Sequence, residues 1–198
     1  KALNFGLQKC SYPLIARSDS DDVCAEDRFE KQVRYFEEHP EVGIISSYID
    51  EFETDWTKPS HTKTLPLTHE ELWEMAKFRN PINHMSAMMR KDDVLRIGSY
   101  KHIPYIEDYE LWVRAMINGI KIANVGEVLV HARTGNGMVQ RRGTKKYIKS
   151  WHIMNRYMVK HGMIGNMTYV RNMIAITGFV FMPVGLKEFV YKKILRKG

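Results

Sequence analysis

An apolar segment, Tyr12-Pro13-Leu14-Ile15-Ala16, runs through Arg17 straight into Ser18-Asp19-Ser20-Asp21-Asp22. The segment reads as a short buried strand that begins at a proline. Three carboxylates within four positions then leave its C-terminal end, the end at which ligands bind in α/β sheets because the connecting loops converge there. Carboxylates this close repel one another, and a hard divalent cation relieves that cost. Mg2+ or Mn2+ held by one or two carboxylates, with phosphate oxygens completing the octahedron, fits the donor count. The plain alternative is a solvated acidic turn at the N-terminus of the helix that follows.

The rest of the chain alternates between the two periodicities. Ala2, Phe5 and Leu7 suggest the end of a helix, and from Glu26 the spacing is helical, with Phe29, Val33 and Phe36 on one stripe until His39-Pro40. Val42 to Ile49 is rich in β-branched residues and reads as a strand, and residues 50–66 as a long surface loop. Thr68 with Glu71 has capping-box spacing ahead of a short helix. Asn83 to Met89 reads as a strand, Lys91 to Ile97 as a helical turn closed by Gly98, Glu107 to Asn118 as an amphipathic helix with Leu111, Trp112, Ala115 and Met116 inward, and Lys121 to His131 as a strand. Strands alternating with helices predict an α/β layered domain. After Gly137 the chain turns basic and helical, which predicts a catalytic-type unit over 1–136 and a helical tail over 137–198.

The charge follows the same division. The formal net charge of +7 averages a first third (1–60) at −6, a neutral middle (61–130) and a last third (131–198) at +13, where 14 Lys/Arg face the single acid Glu188. Such asymmetry predicts two different jobs. Two cysteines, Cys10 and Cys24, exclude a disulfide framework and a Cys-based zinc site, and predict a reducing cytosol. The chain opens on Lys1 inside a helical pattern and reads as part of a longer protein. Its longest nearly apolar run, Met173 to Leu186, is 14 residues and falls short of the ~20 that span a bilayer.

Other aspartate-rich patterns fit less well. An EF-hand loop starting at Asp19 would place Val23 at a ligand position and Cys24 at the obligatory glycine. A haloacid-dehalogenase-type phosphatase also uses Asp-x-Asp after a strand, but no second acidic pair with a lysine supports it here. The second acidic motif is Ile106-Glu107-Asp108-Tyr109-Glu110-Leu111-Trp112, which places Glu107 and Asp108 at a helix N-terminus. The dipole there favours an ionised Asp108 able to act as a general base, while ordinary first-turn acid placement explains the same residues.

Taken in order, Ala2-Leu3-Asn4-Phe5-Gly6-Leu7, Ile15 to Asp22, Glu26 to Gln32, Asn80-Pro81-Ile82-Asn83-His84-Met85-Ser86, Gly98-Ser99-Tyr100 and Glu107 to Arg114 resemble a family 2 glycosyltransferase of the GT-A, Rossmann-like fold. The resemblance covers residues 2–133 and lacks the earlier nucleotide-binding strands. It implies inverting transfer of a sugar from a nucleotide-diphosphate sugar, above all a UDP-sugar, to an acceptor hydroxyl, in bacterial surface polysaccharide synthesis. It further implies that Asp19 and Asp21 hold the Mg2+ or Mn2+, with Asp21 the direct ligand. Asp19, Asp22, Arg17 and His84 would lie at the donor, and Asp108 would be the base with Glu107 beside it. No QxxRW-type motif follows Asp108, which argues against a processive synthase.

The basic tail, with Lys187, Lys192, Lys193 and Arg196 at its end, combines cations, aromatics and an apolar run. It suits peripheral attachment to an anionic membrane, on the inner face of the plasma membrane of a cytoplasmic protein, near a glycan or lipid-linked acceptor. No nucleic-acid recognition motif accompanies the charge. The rival reading of the whole chain is a non-enzymatic basic binding module whose acidic turn is structural.

Overall fold

A computed structural model gives the fold and describes residues 2–134, 144–183 and Gly185. Two strands dominate it, β3 (Val42–Phe52) and β6 (Lys121–Arg133), which pair in parallel along almost their whole length. On one side of this pair, β5 (Met88–Arg90) runs antiparallel to β3 and β1 (Leu14–Ala16) antiparallel to β5; on the other, β2 (Val23–Cys24) runs antiparallel to β6. A sixth strand, β4 (His61–Lys63), pairs with the far end of β3.

Period-two alternation sends side chains to opposite faces, and the buried apolar residues form two main cores and a small third cluster of Ile49, Val130 and Ala132. Ile44, Met89 and Ile122 enter the larger one, beneath α1 (Ala2–Lys9), α3 (His69–Met75), α4 (Lys91–Arg96) and α5 (Glu107–Ile117). Ile45, Met88, Ala123 and Leu129 enter the other, with Phe36 of α2 (Arg28–Glu38). The parallel pair needs a crossover, and residues 53–120 supply it. Gly43 is required where β3 passes under α4: a Cβ there would sit 2.6 Å from Asp93 Oδ2 and from Ile120 Cγ2.

The capping box forms as expected, Thr68 accepting from the Glu71 amide while Glu71 accepts from that of Thr68. Gly98 closes α4 at φ 89°. The expected α5 is present with Leu111, Trp112, Ala115 and Met116 buried, and its other side is buried too. Two further helices cover that side, α6 (Lys145–Lys160) and α7 (Asn166–Phe181). The stripe Tyr147, Trp151, Met154 and Met158 of α6 joins the larger core, and Trp151 packs edge-on to Tyr109 at 5.6 Å.

Several local readings change. β1 is half-buried rather than buried, because it is the end strand of the described sheet, with Ala16 exposed. The inward residues of α2 are Arg28, Gln32 and Phe36; Phe29 is 49% exposed and lies over the Arg28 guanidinium. Residues 50–66 are not all loop, since β3 continues to Phe52 and β4 returns beside it. Asn83 to Met89 splits into a 3-10 turn, His84–Ser86, and β5, because side-chain bonds from Asn83 and Ser86 to β3 replace a strand ladder. His84 is therefore on a turn, not a strand. Lys187, Lys192, Lys193 and Arg196 lie outside the described residues, and among those described no helix is long and apolar enough to cross a membrane.

Candidate active site

The Ser18–Asp22 loop joins β1 to β2 and is pinned from below by Arg28. This guanidinium is fully buried and has no carboxylate partner among the described residues. It donates to the Arg17 carbonyl at 2.7 Å, to Cys24 Sγ at 3.1 Å and to Gln32 Oε1 at 3.1 Å, while Gln32 donates onward to the Ser86 carbonyl at 2.8 Å. The loop's two stems and the 84–86 turn thus hang on one cation.

The three aspartates are treated differently. Asp19 is gripped by both terminal nitrogens of Arg17. Asp22 accepts the Arg133 amide on Oδ1 at 2.8 Å, while its Oδ2 is buried without a partner among the described residues. Burial, followed by Asp19 and Asp21, pushes its carboxyl above the usual range against the pull of that amide and of Arg17. Asp21 is exposed and carries no side-chain bond among the described residues, so its carboxylate is available to a ligand. No described group of three or more His, Cys, Asp or Glu side chains makes a complete metal cage. A cation bound here would draw on Asp21, with the remaining oxygens coming from a diphosphate and water, as hard divalent ions commonly do.

The second motif faces the same space. Asp108 stands in the first turn of α5, half-buried, and Asn80 Nδ2 donates to its Oδ2 at 2.7 Å. Asn80 is itself fixed, its Oδ1 accepting the Ile82 amide at 3.2 Å. Between the motifs sit His84 and Tyr100, with Nε2 and the phenol oxygen 3.0 Å apart, and the Trp112 ring lies edge-on to the imidazole at 5.8 Å. Burial pushes His84 down to about 4, opposed by the charges of Asp108 and Asp19 and reinforced by Arg17. The imidazole is therefore neutral near pH 7. Burial also holds the Tyr100 phenol well above its ordinary range, with Asp108 and Glu107 adding to it. His84 and Tyr100 thus lie within electrostatic reach of both Arg17 and Asp108.

The local backbone is shaped to allow this. Asn4 of α1 exchanges two bonds with the Tyr100 backbone, at 2.9 and 3.0 Å, and Ser99 and Tyr105 hold positive φ of 55° and 70° on either side of the segment leading to α5. Glu107, the neighbour of Asp108, is half-buried on the same turn. Sequence reasoning gave no role to Asn80, Tyr100 or Arg28. All three stand inside the blocks that carried the resemblance, which was the signal available. Trp56 is exposed, and its ring lies 5.0 Å from that of His131 at a tilt of 52°.

Comparison with known proteins now decides the family. Residues 1–97 match the model of Glycosyl transferase family 2. Along all 198 residues the chain is 40% identical to the amylovoran biosynthesis glycosyltransferase AmsE of Erwinia amylovora, covering 73% of that protein. The chain belongs to glycosyltransferase family 2. It is also 31% identical over 196 residues to an Escherichia coli protein named UDP-Gal:alpha-D-GlcNAc-diphosphoundecaprenol beta-1,3-galactosyltransferase, of which it covers 71%. The fold agrees. S. aureus TarS 1-349 superposes with a TM-score of 0.62 at 10% identity over 98% of this chain and 54% of that one. Mannosyltransferase PcManGT of Pyrobaculum calidifontis, solved with GDP-Man and Mn2+, gives 0.54 at 12% identity, over 96% of this chain and 57% of that one. The glycosyltransferase chain therefore has the expected GT-A architecture while spanning little more than half of those solved chains.

Proposed function

We propose that this glycosyltransferase chain carries the metal and acceptor side of an inverting, metal-dependent transfer from a UDP-sugar to the hydroxyl of a glycan or lipid-linked acceptor in bacterial surface polysaccharide synthesis. The observation that supports the reading is the His84–Tyr100 pair, which lies within electrostatic reach of Asp108 and of Arg17, with His84 also within reach of Asp19. The name of the Escherichia coli relative supports the donor and acceptor classes, and that of the Erwinia relative supports polysaccharide synthesis.

Asp21, with Asp19 and Asp22 beside it, would hold Mg2+ or Mn2+. The chemistry such an ion supplies is stabilisation of the negative charge that gathers on the departing diphosphate. Arg17 sets Asp19 toward the donor and places a positive charge at the same wall. Asp108 accepts the proton of the acceptor hydroxyl as that oxygen forms its bond to the anomeric carbon and the carbon–diphosphate bond breaks. Asn80 occupies Oδ2 and leaves Oδ1 to receive the proton. A neutral His84 and a protonated Tyr100 keep further charge out of the intervening wall. One displacement needs one base, and inversion follows. The work is placed in the cytoplasm at the inner face of the membrane.

The test uses the complete enzyme with an α-linked UDP-sugar and a polyprenyl-diphosphate-linked sugar acceptor. We expect a β-linked product by NMR, activity lost in EDTA and restored by Mn2+. A retained α linkage, or full activity in EDTA, contradicts the reading.

A further inference from the structure

Helices α6 and α7 pack against each other, and their outer sides differ. On α6, Lys145, Lys146, Lys149, Arg156 and Lys160 are all exposed, and their spacing keeps them in one stripe with Ile153. No Asp or Glu occurs between Glu127 and Glu188 to offset them. On α7 the outward stripe is apolar apart from Arg171, whose guanidinium lies over the Phe78 ring. Met167 is 85% exposed, Val170 50%, Ile174 69% and Phe181 67%, at spacings that place them on one helical face.

This face cannot turn inward. Asn172, buried on the opposite side of α7, donates to the Lys77 carbonyl and to Asn155 Oδ1, each at 2.8 Å, and the Tyr169 hydroxyl lies 2.8 Å from His152 Nδ1. Between the two helices an open cleft of about 540 Å3 is lined by His152, Arg156, Tyr157, Lys160, Asn166 and Tyr169, so cations flank the groove beside Met167. Apolar residues exposed in a row beside a cationic row, with no acid between them, match a negatively charged surface over an apolar interior. A helix of 16 residues is about 24 Å long and lies in such a surface rather than crossing it.

We propose that the outer side of the α6–α7 pair is an in-plane docking face for an anionic phospholipid bilayer. The inference rests on the membrane part of the function proposed above and assigns the contact to the helix pair rather than to Lys187, Lys192, Lys193 and Arg196. Met167, Val170, Ile174 and Phe181 enter the acyl boundary, and the α6 cations meet the headgroup phosphates. The bond from Asn172 to Lys77 ties this face to the segment leading to Asn80 and hence to Asp108, so docking would present the base to an acceptor held at the membrane surface.

The experiment is flotation of the complete protein with phosphatidylcholine vesicles, with and without one-third phosphatidylglycerol. Three variants are compared: Met167→Gln with Ile174→Gln and Phe181→Ser; Lys145→Gln with Lys149→Gln, Arg156→Gln and Lys160→Gln; and Lys187→Gln with Lys192→Gln, Lys193→Gln and Arg196→Gln. The substituted side chains described here are exposed, and unchanged thermal melts would verify that the fold survives. Wild type should partition into the anionic vesicles at least about tenfold better than into the neutral ones, since each cation near the headgroups contributes several-fold. Both helix variants should lose about tenfold or more, and the tail variant should keep most of the binding. Wild-type binding by both helix variants, with loss only in the tail variant, overturns the docking face while leaving membrane attachment standing. Equal binding to both vesicle types overturns the charge argument. Failure of wild type to float overturns both membrane claims and leaves sugar transfer untouched; should the apolar variant then convert a dimer to a monomer by sedimentation, the face belongs to a second copy of the chain instead.

Discussion

Replacing His84 with glutamine should change how the protein responds to acid. In the unfolded chain this imidazole titrates at 6.5, and in the folded protein burial lowers it to about 4. Between those values the unfolded state binds a proton that the folded state refuses, so the stabilisation is complete above pH 6.5 and is lost as the pH falls toward 4. At pH 5 the gap amounts to about 1.5 decades of proton binding, or about 2 kcal/mol relative to pH 7. A glutamine amide keeps a hydrogen-bond partner for the Tyr100 hydroxyl but cannot take up the proton. Urea unfolding of both proteins at pH 7 and pH 5 measures the difference. Wild type should lose about 2 kcal/mol more than the variant between the two conditions. His69, also depressed by burial, and Asp22, shifted upward, contribute equally to both proteins and cancel. Parallel pH dependences would refute the placement of a neutral buried imidazole between the acidic motifs.

Arg28→Met leaves the Arg17 carbonyl and the Gln32 amide oxygen without their donor, and should cost about 3 kcal/mol by urea unfolding while weakening metal-dependent donor binding; an unchanged midpoint would contradict its role beneath the loop. Asn80→Ala should lower kcat about 10- to 100-fold with little change in KM for the donor, because it frees the orientation of Asp108 without touching the aspartate loop; a pure KM effect would place Asn80 elsewhere. Asp22→Asn should melt no lower than wild type, since it removes a half-buried carboxylate repelled by Asp19 and Asp21 yet keeps an oxygen for the Arg133 amide. A clear drop in Tm would show that the charge of Asp22 is structural.

What could be read from the sequence was what neighbours in the chain decide. Thr68 and Glu71 make their cap within one turn, Gly98 ends α4 at a positive φ, and the Tyr147, Trp151, Met154, Met158 stripe packs as its period demands. The misreadings came from contacts made far along the chain. The buried face of α2 includes Arg28 and Gln32, whose polar atoms are satisfied by Arg17 and by Ser86, 54 residues on from Gln32, so a pattern of apolar residues pointed the wrong way. The 84–86 turn is stitched to β3 by Asn83 and Ser86, which no local propensity reveals. In the site, both acidic motifs were visible as motifs. Asn80 reaches Asp108 across 28 positions and His84 reaches Tyr100 across 16, and only the fold brings them together.

The central claim is that the aspartate loop and Asp108 are two halves of one transfer site with separate duties. In the complete enzyme, Mn2+-dependent binding of the nucleotide-diphosphate sugar and turnover to product should be measured side by side for Asp21→Asn and Asp108→Asn. Asp21→Asn should lose the Mn2+ dependence of donor binding, and Asp108→Asn should bind donor as wild type does while losing transfer. Near-normal turnover by Asp108→Asn, or unchanged Mn2+-dependent binding by Asp21→Asn, would contradict the account.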